Sequence, residues 1–236
     1  MRVKACVNGP RLPLEHTRLA ADPAVVAAEA RAAVAAGAFA VHVHPKDAAG
    51  RDSLAPADVA RFVRAVREAV AVPVGVTTGA WTGDAAARLA AIEGWRELPD
   101  FASVNAHEEG ADAIAEALLA RGVGVEAGIW HRDGLERWLR WPRRGASERV
   151  LVEIQDIADP GEIESLARAL VDGARAAEPD VPVLLHGEER STWHAIRLAA
   201  AWGLATRAGL EDSLALPDGS VVSGNAQLVR AALALA

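Results

Sequence analysis

Two histidines one residue apart, Val41-His42-Val43-His44, are the densest chemistry in the sequence. In a strand, residues i and i+2 share a face. Both imidazoles then project together as a clip for a divalent cation, and zinc suits imidazole well. The plainer reading is a pair of core histidines satisfied by nearby carboxylates. A catalytic metal needs a third donor and open positions, and the adjacent acids Glu211 and Asp212 are the natural candidates. Consecutive strand residues face opposite ways, so these two acids should do different work; alternatively they cap the turn that follows. Arg207 lies four residues before Glu211. An arginine facing an interior must meet an anion from protein or substrate, whereas one facing outward is a surface charge.

Weaker signals accompany these. Thr77-Thr78-Gly79 offers hydroxyls and a flexible backbone suited to a substrate carboxylate, although Thr-Gly also serves turns. Ser103 and Asn105 repeat the i, i+2 spacing and can point inward together or satisfy a loop. Glu126, His186 and Glu188 are further polar residues at strand ends, with no separable roles. His107, His131 and His194 read as loop or helix histidines, and the tryptophans read as packing residues.

A repeated pattern must position these groups. Runs rich in β-branched residues at 2–7, 38–44, 72–77, 101–105, 123–128, 150–155, 181–186 and 205–210 predict strands. Between them, helices are predicted at 23–36, 56–69, 84–93, 111–120, 133–139, 160–177 and 192–202, and 225–235 closes the chain. Pro23, Pro56 and Pro160 stand at helix starts, where a missing N–H costs nothing. Eight βα units without an internal linker predict one (β/α)8 TIM barrel over residues 1–236. A doubly wound sheet would want a Gly-x-Gly-x-x-Gly turn after its first strand, and Asn8-Gly9-Pro10-Arg11 is not one. Nearly every predicted strand ends in polar or glycine residues, on the side where barrels build active sites.

Composition narrows the function. The 236 residues are 51% hydrophobic and 24% charged, enough for a buried core. A net charge of −7, with no basic cluster, argues against a nucleic-acid or anionic-membrane surface. One cysteine, Cys6, permits neither an internal disulfide nor a thiolate metal cluster. The N-terminus lacks a secretory apolar region and no long apolar run occurs, so a cytoplasmic protein is expected.

Taken in order, Asn8-Gly9-Pro10, His42-x-His44, Thr77-Thr78-Gly79, Ala102-Ser103-Val104-Asn105, Arg207-Ala208-Gly209-Leu210-Glu211-Asp212 and Asn225-Ala226-Gln227-Leu228-Val229 resemble the β-keto acid cleavage enzymes. The founding activity of that family is 3-keto-5-aminohexanoate cleavage. The resemblance runs end to end, and its most specific part is Arg-x-Gly-x-Glu-Asp together with His-x-His. It implies a zinc-dependent barrel, a homo-oligomer, that converts a β-keto acid and acetyl-CoA into acetoacetate and a new acyl-CoA. It further implies His42, His44 and Glu211 as zinc ligands, Asp212 as catalytic base and Arg207 as its support. Thr77, Thr78 and Gly79 align with the family's carboxylate cradle, and Ser103 and Asn105 with its further polar contacts.

The chain departs from the family in being short. After the sixth strand it has only Gln155-Asp156-Ile157-Ala158-Asp159-Pro160, where longer members carry a glycine-rich stretch bordering the active site. That leaves two rivals: a metal-assisted lyase, aldolase or hydrolase that needs no CoA, and a non-catalytic metal- or metabolite-binding barrel. Arg11 stands where the aminohexanoate enzymes carry an acid. It is therefore expected to bind substrate and to favour a second carboxylate, as in a β-keto diacid.

Overall fold

Aspartates set several helix starts in the computed structural model, which describes residues 1–235. Asp22 accepts from the Ala24 N–H at 2.8 Å just before Pro23, and Asp159 accepts from the Glu162 N–H at 2.7 Å just before Pro160. Asp84 caps in the same way, accepting from Ala87 at 2.8 Å, so it precedes its helix instead of opening it. Each such cap contributes about 1 kcal/mol.

The chain alternates β1 (Val3–Cys6), α1 (Pro23–Ala35), β2 (Val41–Val43), α2 (Pro56–Ala69), β3 (Val74–Thr77), α3 (Ala85–Gly94), β4 (Phe101–Asn105) and α4 (Ala111–Ala120). It continues through β5 (Gly124–Ile129), α5 (Arg132–Arg140), β6 (Arg149–Ile154), α6 (Pro160–Ala177), β7 (Val183–Gly187), α7 (Thr192–Ala201), β8 (Thr206–Ala208) and α8 (Asn225–Leu233). All the strands pair in parallel, in the order β7-β6-β5-β4-β3-β2-β1-β8. A single Leu184–Ala205 bridge joins β7 to β8 and completes the ring. This is the (β/α)8 barrel expected from the periodicity. Among the described residues, no helix is long and apolar enough to cross a membrane.

Two strands are shorter than predicted, and both place the site. β2 ends at Val43, and beyond it the Asn8 side chain replaces the ladder: its Nδ2 donates to the His44 carbonyl at 2.8 Å while its Oδ1 accepts from the His44 N–H at 2.9 Å. β8 ends at Ala208 because the chain turns, with the Asp212 and Ser213 N–H groups both donating to the Gly209 carbonyl. Glu211 and Asp212 thus sit on a turn beyond the strand. Gly209 is obligatory there, since a Cβ would lie 1.9 Å from the Cys6 carbonyl oxygen.

The barrel floor carries charge where branched aliphatics are usual. Lys4 and Glu126, both fully buried, pair across the interior at 2.5 Å, and Arg149 reaches Glu126 at 3.2 Å. Glu126, third residue of β5, is therefore not a mouth residue as its sequence position suggested. Its carboxylate is consumed below the site.

Candidate active site

His42, His44 and Glu211 converge at the C-terminal mouth. His44 Nε2 lies 3.5 Å from Glu211 Oε1 and His42 Nε2 lies 4.0 Å from Glu211 Oε2. One donor atom from each residue falls within 4.8 Å of the others, close enough to share one ion. Glu211 Oε2 and His42 Nδ1 are buried without a hydrogen-bond partner. A carboxylate oxygen left so is costly unless a cation meets it, so the donor set fits a divalent metal. Burial alone would raise the Glu211 pKa, yet Arg207 and the two imidazoles hold it well below the usual carboxylate range.

The second nitrogen of His44 is fixed. Its Nδ1 meets Asp52 Oδ2 at 2.7 Å, and Asp52 also accepts from Lys46 Nζ at 2.6 Å and Trp81 Nε1 at 2.7 Å. This pairing assigns the Nδ1–H tautomer and leaves Nε2 free as a ligand. Burial disfavours charge on His44, but Glu211 and Asp52 together push its pKa up to about 9. Burial opposes ionisation of Asp52 as well, yet His44 and Lys46 bring its pKa down to about 2. Burial keeps His42 well below the ordinary imidazole range, hence neutral and able to ligate. Asp52→Asn is expected to weaken metal affinity about 10–100-fold while the barrel still folds, as read by competition with a chromophoric chelator.

Gly9 sets the approach of β1 to the same carboxylate. Its φ is +57°, and a Cβ there would lie 2.5 Å from Glu211 Cγ. Gly9→Ala is expected to cost at least the ~1–2 kcal/mol of a left-handed alanine. That lowers Tm by about 2–8 °C in a domain of this size, and metal content should fall as Glu211 is displaced.

Arg207 organises the other half of the site. Its Nε donates to Asp212 Oδ1 at 2.9 Å, and its Nη2 lies 2.7 Å from Asp212, 3.1 Å from Glu211 and 3.6 Å from Glu153. Asp212 is fully buried and its Oδ2 has no partner. An aspartate beside an arginine is ordinarily a weak base. Here burial outweighs Arg207, with a further push from Glu211, and raises the Asp212 pKa to about 7. Burial likewise raises Glu153 to about 7. His186, buried with neither ring nitrogen hydrogen-bonded, stands 3.3 Å from Glu153 and 3.9 Å from Asp212. Burial, and then Arg207, keep it neutral.

A cavity of about 250 Å³ opens between these groups. Of the residues picked from the sequence, His42, His44, Thr77, Ser103, Asn105, Arg207 and Glu211 line it. Thr78 and Gly79 do not. The Thr78 hydroxyl donates to the Ser103 carbonyl at 2.7 Å, and Gly79 makes room for the Trp81 ring, which a Cβ would meet at 2.1 Å.

Arg11 also stands apart from the cavity lining. Its Nε donates to the Leu210 carbonyl at 2.6 Å, and its remaining nitrogens pair with Glu15 and Glu189. The expectation that it binds a substrate carboxylate is corrected by these partners: Arg11 ties the β1 and β7 loops to the turn carrying Glu211.

Sequence reading missed Asp52 and Lys46, and it took Trp81 and Trp130, both cavity-lining, for packing residues. The β2–α2 loop folds back through a Lys46–Asp52 bridge and a turn with Gly50 at φ +79°, which returns Asp52 to His44. The run Asp47-Ala48-Ala49-Gly50-Arg51-Asp52 is the signal for that turn.

Fold and site together define a class: a (β/α)8-barrel protein with donors for one metal at the mouth where such barrels build their active sites. The model of the beta-keto acid cleavage enzyme family matches residues 1–236, and the chain belongs to that family. Among solved structures, the binary complex of ObcA with oxaloacetate superposes with a TM-score of 0.75 at 16% identity, covering 90% of this chain and 62% of that one. The ternary complex of ObcA with C4-CoA adduct and oxalate gives 0.70 at 18% identity, covering 88% and 61%. The 3-dehydroquinate dehydratase from Aquifex aeolicus VF5 gives 0.61 at 11% identity, covering 100% and 97%. At these identities the likeness is one of barrel fold. This chain matches about three fifths of the ObcA chains' length. No curated protein matches the sequence.

Proposed function

We propose that this protein is a zinc-dependent β-keto acid cleavage enzyme that converts a β-keto acid and acetyl-CoA into acetoacetate and a new acyl-CoA. The observation carrying this reading is the convergence of His42, His44 and Glu211 beside the Arg207–Asp212 pair, in a member of that family. The ObcA complexes with oxaloacetate, itself a β-keto acid, and with a C4-CoA adduct support it.

A zinc ion held by His42, His44 and Glu211 supplies Lewis acidity to a ketone oxygen, stabilising negative charge as carbon–carbon bonds form and break. Thr77, Ser103 and Asn105 offer hydroxyl and amide groups to the substrate carboxylate on the β3–β4 side of the mouth. Asp212, with a pKa near neutrality, takes the proton from the carbon between ketone and carboxylate. The resulting carbanion attacks the thioester carbonyl of acetyl-CoA. CoA then transfers to the original keto carbon, and cleavage of the old bond releases acetoacetate. Arg207 keeps Asp212 oriented through its two contacts to Oδ1.

One observation favours a second reading. Only residues 155–159 connect β6 to α6, a short rim for a nucleotide-bearing co-substrate, as in a lyase that needs no CoA. Mass spectrometry of reactions over a β-keto acid panel, with and without acetyl-CoA, decides between them. A new acyl-CoA formed only with acetyl-CoA supports the proposal; keto acid consumed equally without it overturns it.

A further inference from the structure

The cations around the mouth are already matched. Arg207 faces Asp212, Glu211 and Glu153. Arg11 is held by Glu15 and Glu189, Lys46 by Asp52, and Arg190 by Asp156 at 2.8 Å. The carboxylate of Glu188 is different. It follows the last residue of β7, lines the cavity, and has no cationic partner within 4 Å among the described residues. Glu153 and Gln155 line the same side, with Gln155 Nε2 donating to Glu153 at 2.7 Å. The other lining groups near them, Trp81 and Trp130, add no positive charge.

Barrel order gives this wall a meaning. In an eight-stranded ring the β3–β4 edge, with Thr77, Ser103 and Asn105, lies across from β7. A β-keto acid whose carboxylate end is held at β3–β4 and whose ketone lies over His42 and His44 therefore directs its distal carbons toward Glu188. A second carboxylate placed there would meet an unneutralised acid in a partly dry cavity, and like charges so placed repel strongly. A cation there would instead complete an ion pair that the protein leaves open.

We infer that Glu188 is a specificity-determining residue that selects a β-keto acid bearing a protonated amine or similar cation on its distal carbons. This inference rests on the proposed function for the substrate's head group, and it reverses the diacid preference that Arg11 suggested.

The experiment compares three probes of similar length, 3-keto-5-aminohexanoate, 3-oxohexanoate and 3-oxoadipate, with the zinc-loaded wild-type protein and its Glu188→Gln variant. Turnover with acetyl-CoA and calorimetric binding are both recorded. The wild type is expected to favour the amine over the neutral acid by about tenfold or more, the discrimination a buried charge pair supplies. In Glu188→Gln the amine-to-neutral ratio should collapse by a similar factor, chiefly through KM and binding constant. Retained zinc in the variant is the check on folding, and if the variant loses it, the wild-type ratios alone decide. A wild-type preference for 3-oxohexanoate or 3-oxoadipate overturns the inference, as does an amine preference that a zinc-bound Glu188→Gln variant keeps. If no probe turns over, the proposed activity fails, and the calorimetric ratios still decide what Glu188 selects.

Discussion

Replacing His42 or Glu211 by alanine is expected to remove both bound metal and turnover. Each substitution leaves two protein donors, and structural or catalytic zinc is ordinarily held by three or four. The loss is compounded at Glu211, because Arg207 Nη2 and His44 Nε2 both use its Oε1 and would be left facing each other. Elemental analysis of the purified variants should fall from about one zinc per chain to a small fraction of that, with acyl-CoA formation lost in parallel. The barrel should remain, since neither residue belongs to the apolar core. A variant that keeps its zinc while losing activity would mean that the ion is bound elsewhere.

Asp212→Asn separates the chemistry from the metal. Asparagine has the same shape and can still accept from Arg207 through Oδ1, but it cannot take a proton. Zinc content should therefore be unchanged, and kcat should fall by about 10²–10⁴, the usual contribution of a general base. Exchange of the substrate's α-proton with solvent, followed by NMR without acetyl-CoA, should fall by the same factor. Loss of zinc instead would show that Glu211 and Asp212 have exchanged roles.

The barrel was legible because its signals are local and repeated: β-branched runs, aspartate and proline at helix starts, and long apolar strands. The strand ends were less so. The prediction ran β8 to residue 210, whereas the Gly209 turn stops it at Ala208, and that turn depends on the Cys6 carbonyl two hundred residues away. The donors His42, His44 and Glu211 stood out by type and spacing, and the structure brings the three together. What could not be read were relations made by loops. Asp52 reaches His44 only after the β2–α2 loop folds back, and the charge of Arg11 says nothing until Glu15 and Glu189 are seen beside it. The basicity of Asp212 was an open question in the sequence, because an adjacent arginine argues one way and burial the other, and burial is a property of the folded chain alone.

The charged floor of the barrel has a consequence for descent. Losing either Lys4 or Glu126 would strand its partner in a dry interior, at a cost of about 3–5 kcal/mol. That is a large share of the ~5–15 kcal/mol by which a typical domain stays folded. Lineages should therefore cross from this pair to an apolar floor only by near-simultaneous exchange at both sites, so that the two positions drift jointly or stay fixed while the rim above them diversifies.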